Sequence, residues 1–154
     1  DMSAGPVGGR ALMSLRVEKG YGSWGRDYSP EYWPQECGLD GLIRRDKDFL
    51  NKDAWLAIKD TPPREHMVML EIDVITADAT GGEPIFLPDG TPIGQVSSGA
   101  YGYSVGASLA IAYLKAGAVK PGQPVTVAIL GQDHSARVLA APPFDPEGSR
   151  LRGV

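Results

Sequence analysis

Beyond Pro62-Pro63 the chain breaks into short runs, HMVMLEIDVI, EPIFLPDGTPIGQVSSG, SLAIAYLKAG, QPVTVAIL and SARVLAAP, separated by Gly, Pro and Asp. Runs so short and so rich in β-branched and aromatic residues read as strands. No helix is read between them, which favours a sandwich or a Greek-key barrel over a parallel sheet built from βαβ units. We expect an all-β Greek-key barrel of about six strands over residues 63–147. Within it, Pro88-Asp89-Gly90 sits between Ile85-Phe86-Leu87 and Thr91-Pro92-Ile93. The Asp-Gly pair is read as supplying the positive φ values of a tight hairpin.

Residues 1–62 follow a different pattern. ALMSLRV, residues 11–17, carries Leu12, Met13, Leu15 and Val17, a short helix or strand packed against something, with Glu18 at its end; so few positions leave the period open. From Gly20 to Gly41, turn formers and aromatics dominate, and Ser29-Pro30 and Trp33-Pro34 push the backbone toward extended or turn conformations. One helix is expected over 52–59, with Asn51 as N-cap and Thr61-Pro62-Pro63 as its stop. The fold class is therefore α+β, with a first unit over 1–62, the barrel over 63–147, and a polar, turn-rich tail over 148–154 that frays. The opening Asp1-Met2-Ser3-Ala4-Gly5-Pro6 reads as an internal point of a longer polypeptide.

A net charge of −4 with scattered basic residues gives no footprint for nucleic acid or an anionic membrane. No apolar run spans a bilayer and no signal-peptide pattern opens the chain, so the expected location is the cytoplasm, or the mitochondrial matrix in a eukaryote. Cys37, the only cysteine, reads as a buried inert thiol. His66 and His134 have no carboxylate at ligand spacing, so no metal site is expected. Asp133-His134-Ser135 cannot form a nucleophilic triad, because neighbours on one strand point to opposite faces. Ser97-Ser98-Gly99 reads as a turn between strands, since no helix start with Lys follows.

Glu18 lies between apolar Val17 and Lys19-Gly20, at the edge of a packed element. A carboxylate there suits a heterocycle with adjacent N–H donors, because both oxygens accept in one plane. Pterins and guanines carry such an edge. Tyr21, Trp24, Tyr28, Tyr32 and Trp33 offer stacking surface for the ring, or else serve as core aromatics.

Four stretches resemble one family. Ser14 to Gly20 is similar to S-L-R-x-E-x-G, Trp24-Gly25 and Pro34 to Leu39 follow at matching places, and Lys47 to Lys52 is similar to K-x-D-F-x-G/N-K. GTPIGQVSSGAYGYSVGASLAIAYL extends the likeness, so that nearly the whole chain resembles the folate-binding aminomethyltransferases. That family includes the glycine-cleavage T-protein. Trp24 and Gly99 to Ser104 look most like the C-terminal part of its dimethylglycine and sarcosine dehydrogenase branch.

The resemblance implies a C-terminal fragment or subunit of an enzyme that moves a methylene unit from a small N-methyl amine to tetrahydrofolate. Glu18 would hold the pterin edge, Tyr21, Trp24 and Tyr101 would pack the ligand with Tyr103 beside them, and Lys47 would pair with the glutamate tail. Glu36 matches a family glutamate and reads as a loop acceptor. No catalytic residue is carried over, because the family's aspartate for methylene transfer belongs to an earlier portion. FAD would bind only in a missing domain or partner chain, since Gly5 to Gly9 follows no strand and is no dinucleotide fingerprint. The alternatives are a fragment of a glycine-cleavage T-protein and a non-catalytic barrel module that docks on partner chains.

Overall fold

A computed structural model describes residues 4–153; Asp1–Ser3 and Val154, where the first unit was expected to begin and the tail to end, lie outside the described residues. Six strands, β1 (Glu65–Ile72), β2 (Pro84–Phe86), β3 (Pro92–Gly102), β4 (Ala107–Lys115), β5 (Pro124–Ile129) and β6 (Gln132–Leu139), close into a barrel in the order β1-β4-β3-β2-β5-β6. Every pairing is antiparallel, and β1 closes the ring by pairing with both β4 and β6. Strands β2, β3 and β4 follow as neighbours while β1 lies beside β4, which is the expected Greek key.

Alternate residues fill the interior, among them Leu70, Ile85, Ile93, Val96 and Val127, all at or below 1% exposure. Strand β4 is buried on both faces. Ala110, Ala112 and Leu114 join the interior, while Leu109 and Ile111 face outward onto Val17. Something must cover that outer face, and it is the segment whose period was ambiguous: α1, a helix over Gly9–Glu18 that packs on β3 and β4.

The 52–59 expectation is met by α2 (Lys52–Ile58), which buries Trp55. Helix α1 is therefore an addition to the one short helix expected, and a single 3-10 turn covers Asp40–Leu42. Asn51 does occupy the N-cap of α2, but it adopts φ 65 and its side chain makes no capping hydrogen bond. The sequence logic of an extended capping residue fails there because the preceding loop enters through the left-handed region, which Asn tolerates.

At the β2–β3 turn only Gly90 has positive φ; Asp89 instead accepts the Thr91 N–H through its side chain. Hydrogen bonds Gly90 N to Leu87 O and Leu87 N to Thr91 O make this a type I turn closed by a left-handed glycine, one residue longer than the expected tight turn. Ser97-Ser98 is not a turn either. Both lie within β3, where the pairing with β4 shifts between Val96 and Ser98. The bulge presents two successive serines to the same side of the strand.

At the other end, Ser149–Arg152 forms a helical turn, α3, whose Ser149 hydroxyl donates to Asp145. No helix among the described residues is long and apolar enough to cross a membrane.

Candidate functional site

Gly20 ends α1 and so fixes where Glu18 stands. With φ +71 it lets the Gly20 N–H return to Val17 O and the Tyr21 N–H to Arg16 O, the paired closure of a Schellman motif. Glu18 thus occupies the last turn of the helix. Its residue is 1% exposed, and its Oε1 accepts the Ser104 backbone N–H at 2.6 Å. Close packing makes this possible: a methyl group at Gly102 would meet Glu18 Cγ at 2.9 Å. Among the described residues Oε2 has no hydrogen-bond partner, and no cation pairs with the carboxylate. A nearly buried carboxylate with one free oxygen is an acceptor awaiting a donor.

The chain after Gly20 is tied down by its polar groups. Asp27 accepts Arg16 Nη1 and the Ser23 N–H on Oδ2, both at 2.8 Å, and the Ser97 hydroxyl on Oδ1 at 2.5 Å. Arg16 also donates to Ser98 Oγ and to Tyr21 O. The aromatics divide between half-buried and exposed. Tyr32 stacks on Tyr113 with centroids 3.7 Å apart, Tyr28 lies against Gly22, and Trp33 sits beneath the Arg64 guanidinium. Tyr113 donates to Asp27 O and contacts Cys37, whose thiol is buried and pushed up in pKa by that burial. Tyr21 and Trp24 are left exposed, Trp24 to 75%.

Glu36 is the loop acceptor it resembled. Its carboxylate receives the Trp33 N–H, the Arg64 N–H and two nitrogens of the Arg64 side chain. Those Arg64 hydrogen bonds hold it at about 2, well below the usual carboxylate range. On the other side of α1, Lys19 pairs with Asp145 Oδ2 at 2.9 Å, which holds that carboxyl down to about 2.

The expected ligand residues are only partly assembled. Tyr101 flanks Gly102 and its carbonyl accepts the Ser14 hydroxyl of α1 at 2.7 Å, so its backbone belongs to the Glu18 neighbourhood. Its side chain meets Tyr103 edge-on and borders a cavity of about 440 Å³ that is also lined by Ile72, Val74 and Ser108, but not by Glu18. Tyr21 follows the helix end and lies 5.9 Å from Lys19 Nζ. Lys47 is exposed in the loop before α2, and no hydrogen bond or ion pair among the described residues links it or Trp24 to Glu18. Sequence reasoning missed Asp27 and Ser104, and it gave Arg16 no role. The signal was present for Arg16, which stands inside the Ser14–Gly20 motif, whereas a backbone N–H at Ser104 has no side-chain signature.

The pattern of the glycine cleavage T-protein C-terminal barrel domain matches residues 66–145. Mitochondrial dimethylglycine dehydrogenase of Mus musculus is 33% identical over 96% of this chain, and the chain covers 17% of it. A formaldehyde-forming 4-methylaminobutanoate oxidase of Paenarthrobacter nicotinovorans is 35% identical over 99% of the chain, which covers 19% of that protein. The chain therefore spans less than a fifth of the length of these two relatives. The crystal structure of glycine cleavage system aminomethyltransferase T from Bartonella henselae superposes with a TM-score of 0.79 over 88% of this chain and 38% of its own, at 24% identity, which establishes likeness of fold. With its barrel matched from β1 to beyond β6, and more than half its residues within that pattern, the chain belongs to the glycine cleavage T-protein C-terminal barrel family.

Proposed function

We propose that this chain supplies the pterin-gripping part of a tetrahydrofolate site in an enzyme of the dimethylglycine and sarcosine dehydrogenase type. The observation that carries the reading is the Glu18 carboxylate, nearly buried, hydrogen-bonded on one oxygen and free on the other. Oε1 also keeps a second lone pair beside its Ser104 bond, so a planar edge with two N–H donors fits the carboxylate. Tetrahydrofolate, when bound, supplies the nitrogens that accept a one-carbon unit.

In this reading the chain's own residues bind and orient. Glu18 accepts from the pterin edge, Ser104 holds the carboxylate flat, and Tyr21, Trp24 and Tyr101 lend apolar surface. Lys47 offers an exposed ammonium for the anionic tail. Holding the acceptor in a fixed orientation is the chief contribution such a site makes to rate. The N-methyl amine, the FAD that oxidises it, and the group that handles the methylene unit belong to other parts of the enzyme or to a partner chain. The setting is the cytoplasm, or the mitochondrial matrix in a eukaryote.

Anaerobic calorimetric titration of the chain with tetrahydrofolate tests this reading. We expect saturable 1:1 binding that Glu18→Gln weakens about 30-fold, since a charged acceptor is replaced by a neutral group that meets donors with one oxygen only. No binding, or equal binding by both proteins, contradicts it.

A further inference from the structure

Asp27 has a side chain with no exposed surface, yet the folate reading gives it nothing to do. We infer that Asp27 is a positioning residue: through Arg16 it sets the roll of α1 that aims Glu18, and through Ser23 it sets the loop that carries Trp24. The consequence for ligand binding rests on the proposed function; the effect on Glu18 does not.

The geometry of α1 shows why such a device is needed. Successive helical residues are rotated by about 100°, so Ser14 and Glu18 share a face while Arg16 points away from it. Ser14 donates to Tyr101 O and Glu18 accepts from Ser104 N, both at the end of β3 or just beyond. Arg16 reaches the other way, to Ser98 at 2.7 Å and Asp27 at 2.8 Å. The helix is therefore pinned to β3 at two separated points.

Apolar packing alone does not fix that roll. Val17 is the only apolar residue of α1 that is fully buried, and Leu12 and Leu15 are 60% and 56% exposed. Dispersion contacts of Val17 and the half-buried Met13 are tolerant of rotation, whereas a guanidinium that places Nη1 on Asp27 and Nη2 on Ser98 is directional. Asp27 is itself immobile, because Ser97 holds its second oxygen and Tyr113 donates to its carbonyl at 2.6 Å. Losing the anchor leaves Arg16 only the neutral Ser98 and Tyr21 oxygens, and the looser hold lets α1 roll and draws Glu18 off Ser104.

Amide hydrogen exchange on the 154-residue chain reads this directly. In Asp27→Ala, the Ser104 amide is expected to exchange about tenfold faster, while the Ala110 and Ala112 amides of β4 keep their protection. Asp27→Asn can still accept from Arg16 and Ser23 and can donate to Ser97 Oγ, so it restores Ser104 protection. Tetrahydrofolate affinity should fall about tenfold in the alanine variant and recover in the asparagine variant. If Asp27→Ala does not fold, Arg16→Met, which keeps the apolar stem and removes the fork, is expected to give the same Ser104 signature. Unchanged Ser104 exchange in a folded variant, or a rise shared equally by the β4 amides, overturns the inference. Failure of the parent chain to bind tetrahydrofolate would remove the folate reading and leave the Ser104 result to decide this one.

Discussion

Gly94→Ala is expected to lower the unfolding free energy by about 3 kcal/mol, the largest loss we foresee from a single added methyl group. A Cβ built at Gly94 would stand 1.9 Å from Tyr113 O and 2.9 Å from Leu114 Cδ2. Neither neighbour has room to yield. Tyr113 is paired in the β3–β4 ladder, stacked on Tyr32 and hydrogen-bonded through its hydroxyl to Asp27 O, while Leu114 is in the interior cluster. Gly94 itself pairs with both Leu114 and Ile85, so a shift of its backbone opens two ladders at once. The control is Gly41→Ala, which meets nothing within 4 Å and has no positive φ; it should change stability by less than about 0.5 kcal/mol. Urea unfolding of both variants at neutral pH checks the contrast, and equal stability of the two would remove the close approach as a constraint on the barrel.

Acid should weaken the fold through Glu36. Its carboxyl is held at about 2 by the Arg64 hydrogen bonds, against an ordinary value of 4.5. A group whose native pKa is depressed stabilises the fold above its unfolded value, and that contribution is lost as pH falls toward the native one. The window is therefore pH 4.5 down to about 2. Arg64 is more than half exposed, so solvent discounts the full shift, and we expect a contribution of about 2 kcal/mol. Asp145 is depressed to about 2 by Lys19 and unloads over a similar range. Glu36→Gln separates them. At pH 6 the variant should be less stable than the parent by about that 2 kcal/mol, and the difference should vanish toward pH 2. A gap that persists in acid would place the loss in the amide's hydrogen-bonding geometry rather than in charge.

The barrel was legible because its signal is repeated: short β-rich runs bounded by Gly, Pro and Asp recur along residues 63–147, and each strand confirms its neighbours. Segment 11–17 was not, because Leu12 and Leu15 face outward on α1, so its apolar residues follow no single face. The pairing of Asp27 with Ser97 was equally hidden. It depends on a bulge in β3, and a bulge is a relation between two strands that neither states alone. Glu18 stood out as a carboxylate at the edge of a packed element, two residues before Gly20, and the structure does bury it. Lys47 and Trp24 were chosen by motif position, and their exposed side chains make no contact that would reveal a site.

The most direct measurement follows backbone amides by NMR while tetrahydrofolate is added anaerobically to the labelled chain. If Glu18 grips the pterin edge, the amides of Ser104 and Tyr21 shift together with a single saturation curve, and Glu18→Gln moves that curve about 30-fold to higher ligand concentration. Shifts confined to the Ile72 and Ser108 end of the barrel, or no shift at all, would contradict the assignment of a folate site to Glu18.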